Sequence, residues 1–576
     1  MSRTYAMAEM KFIDVTALSD ASLSSDYNQE LGNLGLFAEQ TEQSSYGTLE
    51  LNQFVLDGSK EAIPTAPDDI AFWSSEKSLS DCTFANNPVI EVSFSNQHTS
   101  SGLTLYFVDE YPTEIKVTWY DCTGAKIIDK TFYPDNLVYV CKHQVTNFGK
   151  VRIEFIRTLF SQRYIKLQYI LYGQYIKWEN DTIQKAKIQE EIDQTSATLS
   201  INTADVSILD QNNDFDVGNE EGAWKSVQKT QQITLTEYKD GSKIPAGIFY
   251  IDEFSFAGNI ASFSMIDSIG LMDKYMFYDG EIYINTLAGL ILDKIFAAAG
   301  IADYFIDEDI YNTSLSGYLA IQTCRAALQM VCFACGAVAD DSRSNVVRVY
   351  KPDRYVKATI STDRKFAGNS KVKLDEYVSG VSITCNKYIL ESETSEIYND
   401  ILPVGIARIT FTEPYQPESI TVSKGTIAAV KTNYIEVAMS ETGTCVITGR
   451  KYASSEFSYQ KKVAMVEAGE TENIKKYGTC TLHNSSILGD IADRLLSYHS
   501  LRKKVDLKYL LEAEQVGNWT NIRDVKGKYA TTLIESQSID LTGGFIAVAT
   551  CRGYSVVVTE SFYTGVEMYA GGSILL

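Results

Sequence analysis

Hydrophobic and polar positions alternate along much of the chain, which is the pattern of strands that bury one face. Between 46 and 173, Ile115, Val117 and Trp119 fall on one face of such a strand. Short strands at this density, separated by polar turns, predict a β-sandwich of two antiparallel sheets. The predicted strands of this stretch are Val89–Phe94, Leu103–Phe107, Ile115–Trp119, Val151–Phe155 and Tyr164–Tyr169.

The stretch 174–275 repeats the alternation in shorter segments. Gly247–Phe256 and Ala261–Ile266 are predicted to pair as neighbouring strands of a small β-barrel. The hydrophobic spacing then becomes helical: Leu287 and Ile291 share a stripe, and Gly300 is placed to end that helix. Two further helices are predicted, one from about Gly317 to Ala334, ended by Gly336, and one capped by Ser485 or Ser486.

These patterns predict a multidomain fold that is mainly β with α+β modules. At 576 residues the chain can hold several domains. The predicted domains are an N-terminal arm at 1–45 that joins a barrel, a jelly-roll β-sandwich at 46–173, a β-barrel domain at 174–275, a mixed helical module at 276–370, a second β-rich domain at 371–470 and a C-terminal α+β domain at 471–576.

Charge narrows the classes of function. With 74 Asp and Glu against 51 Lys and Arg, the chain carries a formal net charge of −23. Such a surface repels the phosphate backbone, so general nucleic-acid binding is not expected. Solubility alone would also explain the acidity.

The ten cysteines show no disulfide framework, and we expect most of them to be reduced and buried, as in a protein that folds in a cytoplasm. Cys332 and Cys335 have the C-x-x-C spacing, but no second pair follows, so no metal site is predicted. No leader peptide and no run of about 18 apolar residues is visible, so no membrane span is expected.

Catalytic motifs are not recognised. The four histidines lie far apart in sequence, and no nucleophile, zinc or phosphate-binding motif occurs. Neighbouring carboxylates at Asp252-Glu253, Asp307-Glu308 and Asp214/Asp216 could serve a glycosidase, but chance pairs are expected among so many acids. We therefore predict a protein that is not an enzyme, with no catalytic residue, cofactor or metal.

Aromatic residues of the sandwich are the candidates for glycan binding. Phe72 and Trp73 lie in a segment of loop character, where an exposed indole could stack on a sugar ring. His98 and Tyr120 complete the candidate set. The alternative is that Trp73 fills one end of the sandwich core.

Two parts of the chain resemble known families. Six stretches resemble a discoidin-like, galactose-binding-type jelly roll that is found inserted in tail proteins of prophages from Gram-positive bacteria. They are Tyr46–Glu50, Leu56–Gly58, Gly102–Phe107, Tyr111–Ile115, Trp119–Asp121 and Arg163–Leu167.

The second resemblance covers roughly 174–350 and is to the hub proteins of phage baseplates and tail tips, which are related to the trimeric hub of the T-even phage baseplate. The stretches that carry it are Gln231–Leu235, Ile244–Asp252, Asp267–Asp273, Ser316–Leu319 and Arg325–Gln329. The C-terminal third matches less well, since Val516-Gly-Asn518 stands where many hub domains have Gly-Asp.

The second resemblance implies a homotrimer whose two barrel domains per subunit form a ring of six around a channel. Its implied partners are the tail tube protein, the spike, other baseplate proteins and the tape-measure protein, and DNA would cross the acidic channel without specific binding. It implies a virion component of the tail baseplate or tip, assembled in the host cytoplasm. The C-terminal hydrolase extension of some relatives is not recognised.

Three hypotheses remain at this point. The first is a structural hub subunit, with a sandwich that can bind cell-wall polysaccharide. The second is an adhesin or receptor-binding protein in which the sandwich binds cell-wall glycans. The third is a tail-associated cell-wall hydrolase that uses carboxylates.

Overall fold

The computed structural model of the protein describes most of the chain. The described residues are 4–13, 15–38, 50, 70–211, 213–216, 218–219, 224, 227, 229–239, 242–366, 371–523, 529–555, 562–563 and 569–570.

Strands dominate, and the predicted class, multidomain and mainly β, is confirmed. The first strands are β1 Thr4–Ile13, β2 Ser22–Ser24, β3 Phe72–Lys77, β4 Val89–Phe107, β5 Pro112–Tyr120, β6 Lys126–Phe132, β7 Val138–Thr158, β8 Tyr164–Leu171, β9 Gly173–Trp178, β10 Ile183–Glu191, β11 Thr203–Leu209, β12 Gln232–Lys239, β13 Ser242–Ala257 and β14 Ile260–Ile266. The next are β15 Met276–Phe277, β16 Ile282–Leu287, β17 Tyr304–Ile306, β18 Ser314–Tyr318, β19 Gln322–Thr323, β20 Val338–Asp340, β21 Val347–Tyr350, β22 Val356–Ile360, β23 Lys371–Leu374, β24 Gly380–Leu402, β25 Gly405–Thr410, β26 Thr421–Val422 and β27 Thr426–Val430. The last are β28 Tyr434–Met439, β29 Gly443–Lys462, β30 Ile474–Cys480, β31 Leu482–His483, β32 Lys503–Leu510, β33 Trp519–Arg523, β34 Tyr529–Asp540, β35 Ile546–Ser555, β36 Phe562–Tyr563 and β37 Tyr569–Ala570.

The helices are α1 Val15–Asp20, α2 Ser268–Leu271, α3 Ala288–Ala299, α4 Glu308–Tyr311, α5 Cys324–Cys335 and α6 Leu488–His499. Both predicted glycine stops are confirmed: Gly300 and Gly336 close α3 and α5 in the left-handed conformation. None of the helices in the described ranges is long and apolar enough to cross a membrane.

The chain folds into two compact units. The sandwich unit consists of Glu9–Trp178 and Gln211–Gln231, and the larger unit consists of Met1–Ala8, Glu179–Asp210 and Gln232–Leu576. The predicted arm at 1–45 is therefore divided, because most of it belongs to the sandwich unit.

The sandwich unit is built on two long strands, β4 and β7, that change partners along their length. The first half of β4 pairs with the second half of β7, and the second half of β4 also pairs with β8. The register shifts near His98 and Gly102, where β4 turns from one set of partners to the other. The faces enclosed by these strands bury a core that includes Trp119, Phe155 and Phe107. All five predicted segments lie in strands, and two of them, Val89–Phe94 and Leu103–Phe107, belong to the single strand β4.

One strand path through the described residues of the larger unit falls into two modules that meet at β34 and β10. The first module is β10-β11-β14-β13-β12, and its pairings are antiparallel. The next strand after β12 is β1, of which the residues up to Ala8 belong to this unit. The second module is β23-β32-β35-β34, continued by β33 and β22. Strand β10 pairs with β34, so one strand path runs through both modules.

Two other parts complete the larger unit. Helices α3 and α5 pack into a core with the short strands around them, with Ile291, Ile295 and Leu328 fully buried. The paired strands β24 and β29, of 23 and 20 residues, form a long hairpin with β26 and β30 at its sides. Near its turn lies the small sheet β25-β28-β27, which shares a core with the adjoining ends of β24 and β29.

Three sequence expectations are corrected. The segment around Trp73 is strand β3 and not a loop, because Phe72 and Trp73 pair with Leu167 and Lys166 of β8. Buried Ser74 adds to this pairing by accepting a hydrogen bond from the Ile165 N–H at 2.9 Å. Helix α5 begins at Cys324, since Gly317 lies in a strand with φ of 134° and Thr323 caps the helix.

The third correction concerns α6, whose N-cap is Ile487 and neither of the two serines. The stretch predicted as a second β-rich domain, 371–470, holds β23 to β29, whereas β32 to β35 of the second module lie at 503–555. The resemblance stretches at 46–49 and 56–58 lie outside the described residues.

Candidate functional site

A polar cleft of about 590 Å³ lies in the sandwich unit. Its floor comes from the outward face of β4 and β7, because alternation sends Glu91, Arg152 and Glu154 outward while their neighbours enter the core. The walls are the segment after β2 and the segment before β4. The lining residues are Ser24, Ser25, Asp26, Tyr27, Phe84, Ala85, Asn86, Asn87, Val89, Glu91, Arg152 and Glu154.

Polar contacts hold the floor of the cleft in place. Arg152 lies directly across from Glu91 in the register of β4 and β7, and its guanidinium donates to Glu154 at 2.7 Å. The Asn87 amide donates to the other Glu154 oxygen at 2.9 Å. Burial alone would raise the pKa of Glu154, but these hydrogen bonds outweigh it and the pKa lies below its usual value. The floor therefore keeps its carboxylate charge at neutral pH.

The wall beside β2 is fixed to the floor. The Ser25 hydroxyl donates to the Val89 carbonyl at 2.5 Å and accepts from the Tyr27 N–H at 3.0 Å. Tyr27 is half-buried, whereas Asp26 and Asn86 are exposed. The cleft thus combines an aromatic ring with amide, hydroxyl and carboxylate groups on a rigid frame.

The predicted glycan residues Phe72 and Trp73 do not line this cleft. Phe72 is fully buried in the sandwich core, and Trp73 is 4% exposed. The Lys166 ammonium lies over the Trp73 ring at 4.9 Å and pairs with buried Glu50 at 2.7 Å. This burial favours the alternative stated above, in which Trp73 fills one end of the sandwich core.

The other two predicted residues are also separated from the cleft lining. His98 is 5% exposed, and its Nε2 lies 2.9 Å from the Asp20 carboxylate, which ties α1 to β4. The hydrogen bond from His98, followed by one from the Asn96 N–H, lowers the pKa of Asp20 below its usual value. Tyr120 is half-buried at the end of β5, with the Lys150 ammonium 5.9 Å from its ring.

Two of the carboxylates that were weighed for hydrolysis are held in ion pairs. Asp252 pairs with Lys274 at 2.8 Å, and Asp214 pairs with Lys142. In the part of the chain that the structure describes, no group of three or more His, Cys, Asp and Glu side chains could hold a metal ion.

Sequence reasoning missed a close carboxyl pair, Asp267 and Asp341. Burial, followed by the neighbouring Asp341 charge, raises the pKa of Asp267 well above its usual value. Asp267 accepts from the Gly270 and Asn202 N–H groups, both at 2.6 Å, and Asp341 accepts from the Ser268 N–H at 2.9 Å. Because both side chains are buried and bonded to backbone, the pair joins β11, α2 and β20 and is not open to a substrate.

A second cavity, of about 280 Å³, lies in the larger unit, and several of the side chains that line it contact one another. Arg552 contacts Glu535 at 2.5 Å and lies over the Tyr498 ring at 4.7 Å. His499 Nε2 lies 2.6 Å from the Tyr477 hydroxyl, and burial lowers the pKa of His499 to about 4. This imidazole is therefore neutral at physiological pH.

All ten cysteines are free thiols, and eight of them are buried, as the sequence predicted for most of them. Cys332 and Cys335 lie inside α5, where burial raises the pKa of both thiols. A high pKa disfavours the reactive thiolate. Both side chains pack in the core around α3 and α5.

Comparison with known proteins gives matches among solved structures alone. No family model matches the chain, and no curated protein matches it. The 43 kDa tail protein of prophage MuSo2 from Shewanella oneidensis is 10% identical and aligns over 64% of this chain and 93% of its own, with a TM-score of 0.37.

Two further solved structures align over a similar share. The tail protein from Neisseria meningitidis MC58 is 10% identical over 66% of this chain and 93% of its own, with a TM-score of 0.40. Prophage tail protein gp18 from Listeria monocytogenes EGD-e is 8% identical over 65% and 91%, with a TM-score of 0.37.

Proposed function

We propose that this chain is a structural, non-catalytic hub subunit of a phage tail or tail-like particle, joining the tail tube to the spike or receptor-binding apparatus. The observation that carries the proposal is the pair of β modules on one strand path, linked by β10 and β34. The resemblance of 174–350 to baseplate hubs supplies the biological context.

The number of β modules in each subunit can match the sixfold symmetry of a tail tube. Three subunits with two similar modules each would present six modules around one axis, so that threefold packing can face a sixfold tube. Exposed hydrophobic side chains remain on the second module, including Val372 and Leu374 on β23 and Val548 on β35. An edge strand such as β23 is a surface on which another chain can pair.

The acidity of the chain fits a channel lining. At a formal net charge of −23, the surface repels a passing duplex and disfavours its adhesion. In the proposed particle the tape-measure protein and then DNA would pass along the axis. Tube, spike and other baseplate proteins would contact the ends of the ring.

The test is the oligomeric state and symmetry of the full chain. We expect light scattering to give a trimer mass, three times 64.2 kDa, and electron microscopy to show a pseudo-sixfold ring with an open axis. Alanine at Val372 and Leu374 together should increase dissociation, whereas alanine at the exposed residue Met465, which follows β29, serves as a matched surface control. A monomer at micromolar concentration, or a closed centre, would overturn the proposal.

The sandwich unit supplies a second candidate role, contact with cell-wall polysaccharide. The polar cleft favours it, since a concave surface with convergent polar groups is the usual form of a small-ligand site. If saccharide binding were found without trimer formation, the adhesin hypothesis would replace the hub.

A further inference from the structure

We propose that Cys385 and Cys480 form a redox modification site, at which hydrogen peroxide converts the two thiols to a disulfide. The two cysteines lie directly opposite each other in the register of the parallel strands β24 and β30. Neighbouring strands lie about 4.8 Å apart, within the range of about 4.4–6.8 Å that separates the Cα atoms of disulfide-linked cysteines. The spacing of the backbone therefore permits the bridge.

A bulge in β30 places both thiols on the same side of the sheet. Cys480 lies three residues after Tyr477, and an odd separation normally puts two side chains on opposite faces of a strand. Both are nevertheless buried in one core, because two residues of β30 stand opposite one residue of β24 between them. Cys385 is buried in that same core, so the two sulfur atoms face each other.

The contact between the two thiols makes one of them reactive. A hydrogen bond from the Cys480 thiol lowers the pKa of Cys385 below its usual value and outweighs the opposite effect of burial. Burial instead raises the pKa of Cys332 and of Cys335. A lowered pKa favours the thiolate, which is the form of cysteine that attacks an oxidant. Cys385 is therefore the nucleophile of the pair, and Cys480 is the resolving thiol.

The pair lies just below the surface, where access suits a small oxidant. Cys385 is 1% exposed and Cys480 is 8% exposed. The Cys480 Sγ lies 3.6 Å from the carbonyl oxygen of Gly478, which is an exposed residue. Hydrogen peroxide is little larger than a water molecule, so it fits so enclosed a site.

The reaction takes place in two steps with one peroxide molecule. The Cys385 thiolate attacks a peroxide oxygen, the O–O bond breaks, and the hydroxide that leaves takes up the Cys385 proton, which gives a sulfenic acid and water. The Cys480 thiol then attacks the sulfenic sulfur, the S–O bond breaks, and the Cys480 proton leaves with that hydroxyl as a second water. Both thiols are oxidised to one disulfide while the peroxide is reduced to water.

The bridge would join the base of the long hairpin to the strand that precedes β31 and α6. It would close a loop over 386–479, which contains the small sheet β25-β28-β27. A crosslink across a long loop restricts the unfolded chain and so stabilises the fold. In a tail particle the thiols would stay reduced in the cytoplasm and become oxidised after release. That timing rests on the proposed function, whereas the bridge itself does not.

The experiment treats the reduced full chain with hydrogen peroxide and identifies the state of each cysteine by differential alkylation and peptide mass spectrometry. We expect a peptide linked between Cys385 and Cys480 that dithiothreitol separates again, while Cys332 and Cys335 stay reduced. The linked protein should have a Tm several degrees above that of the reduced protein.

Three variants test the two roles. Cys480→Ser removes the resolving thiol, so dimedone should trap Cys385 as a sulfenic acid and peroxide should no longer raise the Tm. Cys385→Ser should leave Cys480 unreacted. Cys445→Ser, which removes another buried thiol of the hairpin, is the matched control and should leave the yield of linked peptide unchanged. Absence of the linked peptide from the folded wild-type chain would refute the proposal, as would equal trapping by dimedone in the first two variants.

Discussion

Lys166 shows how a buried charge decides what its neighbours can do. Its side chain is 5% exposed and lies between the Trp73 ring, the Glu50 carboxylate at 2.7 Å and Asp109 at 3.4 Å. Glu50 also accepts from the Tyr164 N–H at 2.8 Å. Because the indole face is already covered by this ammonium, Trp73 contributes to the stability of the sandwich rather than to its surface.

Replacing Glu50 tests this account at the scale of one residue. Glu50→Gln leaves the Lys166 ammonium without its closest counter-charge, and we expect the sandwich unit to lose about 3 kcal/mol of unfolding free energy. Urea unfolding followed by tryptophan fluorescence measures the loss. Lys166→Met in the same background removes the stranded charge, so the double variant should recover part of the stability.

The matched control is Glu76→Gln, because the Glu76 side chain is half-buried and lies on β3, the strand that carries Trp73. It should change stability by no more than about 0.5 kcal/mol. If Glu50→Gln were no more costly than this control, the ion pair would not be what holds Trp73 in place.

At the scale of elements, the join between β10 and β34 is fixed by side chains as well as by backbone pairing. Glu190 and Gln537 stand directly opposite in the register, and the Gln537 amide donates to Glu190 at 2.6 Å. Tyr509 donates to the Gln537 carbonyl at 2.9 Å, and Arg343 contacts Glu190 at 3.1 Å. A shift of one residue would break this network, so it defines how the two modules meet.

Substitution of Gln537 tests the join. Gln537→Leu leaves the Tyr509 hydroxyl and the Glu190 carboxylate each short of a buried partner, and we expect a loss of about 2–4 kcal/mol. Thermal and urea unfolding of the larger unit measure it. Ser538→Ala, the next residue on the same strand, should cost less than about 0.5 kcal/mol. Equal effects of the two variants would show that backbone pairing alone sets the register.

At the scale of the whole molecule, the chain has separate cores in its two compact units. The sandwich core includes Phe72, Trp119 and Phe155, whereas the core around α3 and α5 includes Ile291 and Leu328. The chain leaves the sandwich unit at Trp178, returns for Gln211–Gln231 and leaves again. Each core buries its own hydrophobic surface, which is the condition for separate unfolding.

Calorimetry of the full chain should therefore show two transitions. We expect Glu50→Gln to lower the Tm of one transition by several degrees and Gln537→Leu to lower the other, since each acts on the unit that contains it. The double variant should show both shifts added. A single transition that both substitutions lower together would contradict this division.

The sequence by itself determined the local features of this protein. Alternation predicted the strands of the sandwich, and Gly300 and Gly336 ended their helices as expected, because these signals depend on neighbouring residues only. It also placed Ile115, Val117 and Trp119 on one face, and all three are buried in the core.

Tertiary structure decided which distant residues meet. Glu190 and Gln537 are 347 residues apart in sequence and share a hydrogen bond, and a period of two specifies the face of a strand but not its neighbour. The same reason explains why the burial of Trp73 was not predicted, since it depends on Lys166 of β8 and on Glu50, which are distant from it in sequence. The cleft arises in this way too, since its floor and walls come from parts of the chain that only packing brings together.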